Sequence, residues 1–87
     1  MKLFEEKEKN TEDFAKLICA LKAAELLGLA RMLGVRLFYE DVKDEQGHPM
    51  PRSGEAIVED CLVKFYALNR SERRRILKAL RSIAKGA

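Results

Sequence analysis

Residues 53–86 read SGEAIVEDCLVKFYALNRSERRRILKALRSIAKG. Ser53 is a residue type that accepts the free amides of a first helical turn, and Ile57, Cys61, Leu62, Phe65 and Leu68 follow at helical spacing. Asn69 and Glu72 then stand three apart, the spacing of a reciprocal cap, ahead of Ile76, Leu77, Leu80, Ile83 and Ala84. The stretch therefore predicts two amphipathic helices joined by a tight turn, the second ending at Gly86.

The same period continues upstream. Phe14, Leu17, Ile18 and Leu21 form one stripe, with Asn10 as the expected cap and Glu12 and Asp13 set against the positive helix end. Leu26, Leu29, Ala30 and Leu33 form a second stripe, closed by Gly34 and Val35 in the pattern of a left-handed glycine cap. Ala23 and Ala24 favour helix and are poor caps, so the sequence leaves open whether these two helices are one. Residues 41–52 contain Asp44, Gly47, Pro49 and Pro51 and read as an exposed loop, with Leu37, Phe38 and Tyr39 just ahead of it as a helical turn or extended plug. The expected fold class is all-α: a single domain over residues 1–87, built as a small bundle of about four amphipathic helices, with 1–9 a charged N-terminal arm.

Composition narrows the function. The chain of 87 residues is 47% hydrophobic, has no tryptophan, and buries only roughly 60–65% of its unfolded surface, which leaves little room for a deep cleft. Cys19 and Cys61 are far apart in apolar helical patterns and read as buried thiols rather than a disulfide. With His48 they are too few for a zinc site, so no metal and no cofactor is expected. The loop lacks the ordered ligands of a calcium-binding hand, and His48 has neither an orienting partner nor a nucleophile named by the sequence. Phosphate-binding glycine loops, nucleophile elbows and zinc-hydrolase pairs are likewise missing, so the chain reads as non-enzymatic. Charged residues 5–9 after Phe4 exclude a signal peptide there, and Lys22, Glu25 and Arg31 interrupt the longest apolar region. The expectation is a cytoplasmic protein with no membrane role.

Charge is unevenly distributed. Residues 70–87 carry seven basic groups and one acid, a local net charge of +6, whereas the remainder carries ten basic and thirteen acidic groups. On a helical wheel Arg70, Arg74, Lys78, Arg81 and Lys85 form one ridge about 120° from the apolar face. Such a ridge suits nucleic-acid backbone, duplex DNA or RNA, and the absence of aromatic residues in that helix speaks against base stacking. The competing reading is that the arginines face Glu55, Glu59 and Asp60 or simply stay solvated, as most charged helix faces do. Arg73 falls inside the apolar arc, where it must snorkel, pair with an acid or meet a partner.

Leu29-Ala30-Arg31-Met32-Leu33-Gly34-Val35 resembles the end of the first helix and the glycine turn of helix-turn-helix repressors. The resemblance implies a recognition helix next, yet Arg36 stands where a small capping residue is expected, and Asp41, Asp44 and Glu45 would repel phosphates. A glycine-capped helix end accounts for the same letters. The alternative function is a protein-interaction or homodimerisation module, with Phe38, Tyr39 and Tyr66, and Phe4 on the arm, as its aromatic surface.

Overall fold

The computed structural model describes the backbone of residues 2–86 and the side chains of residues 5–83. Its elements, in chain order, are α1 (Lys2–Cys19), α2 (Ala23–Leu33), β1 (Phe38–Lys43), β2 (Pro49–Pro51), α3 (Gly54–Ala67) and α4 (Arg70–Gly86). The protein is thus mostly helical, with four helices and a small two-stranded sheet; the purely all-α expectation is corrected by that sheet.

Three of the expected helix boundaries are present. The Ser53 hydroxyl accepts from the Ala56 amide at 3.2 Å, and Asn69 and Glu72 exchange side-chain and backbone bonds of 2.8 and 3.4 Å. Gly34 adopts φ 74°, while the Val35 amide donates to the Ala30 carbonyl at 2.8 Å, folding the buried Val35 back onto the helix it has just left. Strand β1, and not a recognition helix, comes after that glycine turn, so the helix-turn-helix likeness ends at Val35. Helices α1 and α2 are separate, divided at Ala20–Lys22, where the Lys22 amide donates to the Glu25 carboxylate at 2.8 Å and opens α2.

Asn10 is not a cap. Helix α1 already runs at Lys2, because the Glu- and Lys-rich segment before Asn10 consists of strong helix formers and is held by tertiary contacts. The Lys7 ammonium lies 4.1 Å from the Tyr66 ring centre, and Glu6 pairs with α4. The charged arm is part of a docked helix. Asn10 sits inside it with its Nδ2 buried and lacking a hydrogen-bond partner among the described residues.

The loop expected at 41–52 contains most of a β-hairpin. The Gly47 amide donates to the Asp44 carbonyl at 3.0 Å, Gly47 takes φ 83°, and the Asp44 amide donates to the His48 carbonyl at 2.9 Å. This is a tight turn followed by a left-handed glycine bulge, and the Asp44 carboxylate braces it by accepting from the Gln46 and His48 amides. The strands pair antiparallel with a shifted register between Phe38 and Lys43. Because the Arg52 amide points to β1, bonding Leu37, the nitrogens of Pro51 and Pro49 face the free edge, where no donor is needed.

The core joins all four helices: Phe14, Ile18, Leu29, Ala30, Ile57, Cys61, Phe65, Ile76, Leu77 and Leu80 are buried, with Val35 from the turn. Phe14 and Phe65 stack at its centre, ring centroids 4.1 Å apart. Leu37 packs against this core from the edge, whereas Phe38 and Tyr39 stand about half exposed on β1 and plug nothing. Cys61 is buried as expected. Cys19 is exposed, since it lies about 100° around α1 from the buried Ile18, and both cysteines are free thiols.

Candidate interaction surfaces on helix α4

Helix α4 carries the basic ridge, and most of that ridge has an internal partner. Arg70 Nε donates to Glu6 Oε1 at 2.9 Å, Arg74 reaches the same oxygen at 3.2 Å, and Arg81 lies 3.4 Å from Asp13 Oδ2. Both acids belong to α1. Since residues 6 and 13 of α1 meet residues 70 and 81 of α4 in the same order, the two helices run parallel, with their charges in register. The hydrogen bond from Arg70 and the neighbouring guanidiniums hold the Glu6 carboxyl below its ordinary value.

The neutralising acids are therefore not Glu55, Glu59 and Asp60 on α3. Asp60 instead binds Arg52 at 2.6 Å, and Arg52 also donates to the Arg36 carbonyl at 3.0 Å, which fastens the hairpin to α3. Lys78 is exposed and makes no ion pair among the described residues; the side chain of Lys85 lies outside them. Of the five basic residues expected to act together, Arg70, Arg74 and Arg81 are committed to α1, and Lys78 is exposed beside them.

Arg73 resolves differently from its neighbours. It is 7% exposed, and its guanidinium donates to the Leu68 carbonyl at the C-terminal end of α3, where the helix dipole favours a cation. Its Nε has no partner among the described residues. The arginine inside the apolar arc is thus a buried clasp between the end of α3 and the start of α4.

The expected aromatic surface is dispersed. Phe38 and Tyr39 are on the hairpin, which abuts the start of α3. Tyr66 lies twelve residues beyond Gly54, about 18 Å along the helix at 1.5 Å per residue, and its ring is covered by Lys7. Phe4 has its side chain outside the described residues.

The opposite side of α4 holds a feature that sequence reasoning missed. Glu25, Gly28, Leu29 and Met32 of α2 and Ile76, Ala79, Leu80 and Ile83 of α4 line a groove of about 230 Å³. All but Glu25 are apolar or small. A second depression continues from Met32 and Ile76 past Leu33, Leu68 and Glu72 to Arg75, which shows that α2 and α4 run antiparallel here. Met32 is 66% exposed and Ile83 40%, so the groove lies open with apolar side chains at its edges. A signal was present: Met32 falls outside the stripe defined by Leu26, Leu29 and Leu33, leaving α2 apolar on more than its core face.

Among the described residues no three His, Cys, Asp or Glu side chains gather into a ligand cluster, and His48 sits on the exposed hairpin turn with Asp44 3.8 Å away. No described helix is long and apolar enough to cross a membrane. No protein-family model matches the chain, and no match was found among curated proteins or solved structures.

Proposed function

We propose that this protein is a small non-enzymatic interaction module whose working surface is the apolar groove between α2 and α4. The observation that carries this reading is the open groove itself, with Met32 and Ile83 standing in water above Leu29, Ile76 and Leu80. A chain of this size gains stability by burying apolar surface, and a groove of this composition gains most when a partner covers it. The two helices supply an antiparallel seat of the kind that receives another amphipathic helix.

An apolar dye such as 8-anilinonaphthalene-1-sulfonate tests the groove at dilutions where the protein sediments as a monomer. The expected result is enhanced emission that the Met32→Glu/Ile83→Glu double variant loses while keeping its helical circular dichroism. Unchanged emission in that variant overturns the reading.

Nucleic-acid backbone contact is the second reading, favoured by the exposed Arg75 and Lys78 and by the +6 charge of residues 70–87. Its surface is smaller than the full ridge of Arg70, Arg74, Lys78, Arg81 and Lys85, since Glu6 and Asp13 already compete with phosphate for three of these groups. Fluorescence anisotropy with duplex DNA and RNA at two salt concentrations separates the readings. Binding whose salt slope falls by roughly 0.9 for each phosphate no longer neutralised by the Arg74→Gln/Lys78→Gln/Arg81→Gln variant supports the phosphate reading. Absence of binding at low salt removes it.

A further inference from the structure

We propose that the first half of α1 is an autoinhibitory strap, residues 5–10, which lies against the basic face of α4 and lifts when a nucleic-acid backbone takes the place of the Glu6 carboxylate. Such control rests on the phosphate reading of α4 and adds what regulates that surface.

The strap is held weakly. The second half of α1 is anchored by Phe14 and Ile18, both buried in the core, whereas no residue from Glu5 to Asp13 is buried. Among the described residues, the polar contacts that join residues 5–10 to α3 and α4 are the bonds from Arg70 and Arg74 to Glu6 and the Lys7 ammonium over the Tyr66 ring. The Arg70 and Arg74 side chains are 49% and 60% exposed. Ion pairs so open to water add little to stability and are screened by salt.

Asn10 works against docking. It lies one turn beyond Glu6 and about 40° around the helix, so on the same face, and its Nδ2 is buried with no hydrogen-bond partner among the described residues. An amide that gives up water and gains no partner disfavours the closed arrangement, and lifting the strap returns it to solvent.

What the strap covers suits a phosphate better than it suits Glu6. One carboxylate oxygen, Oε1, serves both arginines, Arg70 donating from Nε and Arg74 from Nη2. Each guanidinium has further N–H donors, and the paired non-bridging oxygens of a phosphodiester can engage more of them than one carboxylate oxygen does. With Glu6 gone, Arg70 and Arg74 stand within about 80° of exposed Lys78 on one face of α4, the three spanning about 12 Å along the helix.

A row of cations along a rod matches a polyanion of fixed, repeated charge. Ser71 and Ser82 flank the row, while Ile76, Leu77 and Leu80 are buried in the core, so this face has no apolar side chain to insert into a lipid surface.

Anisotropy of a labelled DNA duplex at low salt, paired with hydrogen exchange, tests the strap. Glu6→Gln releases both arginines and is expected to tighten duplex binding at least about threefold more than Glu8→Gln, the same change of charge about 160° around α1. In the wild-type chain the amides of residues 6–10 are expected to exchange faster once duplex is bound. Equal tightening by the two variants assigns the effect to net charge and overturns the strap. Duplex binding that leaves exchange at residues 6–10 unchanged or slower overturns it too, with the phosphate reading intact. Failure of both wild type and Glu6→Gln to bind duplex removes the phosphate reading itself and the strap with it. Binding of phosphatidylglycerol vesicles in place of duplex overturns nucleic acid as the ligand.

Discussion

The two sides of α4 are built in opposite ways. Toward α1 and α3 the molecule is closed: Phe14 stacks on Phe65 in a buried centre, and at the rim Glu6 and Asp13 meet Arg70, Arg74 and Arg81. Toward α2 it is open, with the groove over Leu29, Ile76 and Leu80 and with Met32 in solvent. The difference shows that a run of like charge need not be an open surface. Three of the five ridge residues find counter-ions on a helix more than sixty residues earlier, while the side without a charge signature stands open.

Substitutions on the closed side should dominate stability. Phe14→Ala removes one ring of a fully buried stack and is expected to cost about 3–5 kcal/mol in chemical denaturation, more than any surface or turn substitution in the molecule. A cost near that of an exposed residue would dissolve the contrast between the two sides.

The turn that ends α2 is next in size. Gly34→Val forces a branched side chain into the left-handed conformation at φ 74° and should cost about 1–2 kcal/mol, read as a lower melting temperature. Gly28→Leu in the same helix should cost nothing comparable, since its backbone is not left-handed and its surroundings are empty.

Chemical modification gives a third way to set closed against open. Burial pushes the Cys61 thiol up to about 11, so at mildly alkaline pH little of it is thiolate, and its sulfur is also shielded. Cys19 is exposed. Iodoacetamide is expected to label Cys19 in the folded protein and Cys61 at least about a hundredfold more slowly, as mass spectrometry of digested protein would show. Equal rates would mean that the closed side opens readily.

The smallest effect belongs to the ion pairs. Glu6 titrates below its ordinary value in the folded protein, chiefly through its bond from Arg70, so the unfolded chain takes up the proton first as pH falls. Its contribution is therefore present above the ordinary carboxylate value of 4.5 and is lost as pH drops through the lower folded value. Glu6→Gln should lower the melting temperature slightly at neutral pH, with the gap closing in acid. A gap that persists there would assign the effect of Glu6 to packing rather than charge.

Sequence alone determined the helices wherever a local signal was complete. Ser53, the Asn69–Glu72 pair and Gly34 each act within a few residues of themselves, so their reading needed no knowledge of the rest of the chain. Hairpin formation was partly legible: Asp44 and Gly47 stand at the spacing of a turn with a glycine bulge, but Pro49 and Pro51 spoke more strongly for loop. Asn10 misled because a good capping residue can also lie within a helix when flanking helix formers and tertiary contacts extend it.

Only the tertiary structure decided which charges meet and which apolar side chains stay in water. Glu6 and Arg70 are adjacent because α1 and α4 run parallel, a relation set by how four amphipathic stripes share one core rather than by any local pattern. Likewise, Met32 and Ile83 belong to helices whose apolar arcs are wider than the core can cover. A helix declares its own apolar face in sequence, but how much of that face its neighbours conceal depends on packing angles that no single helix encodes.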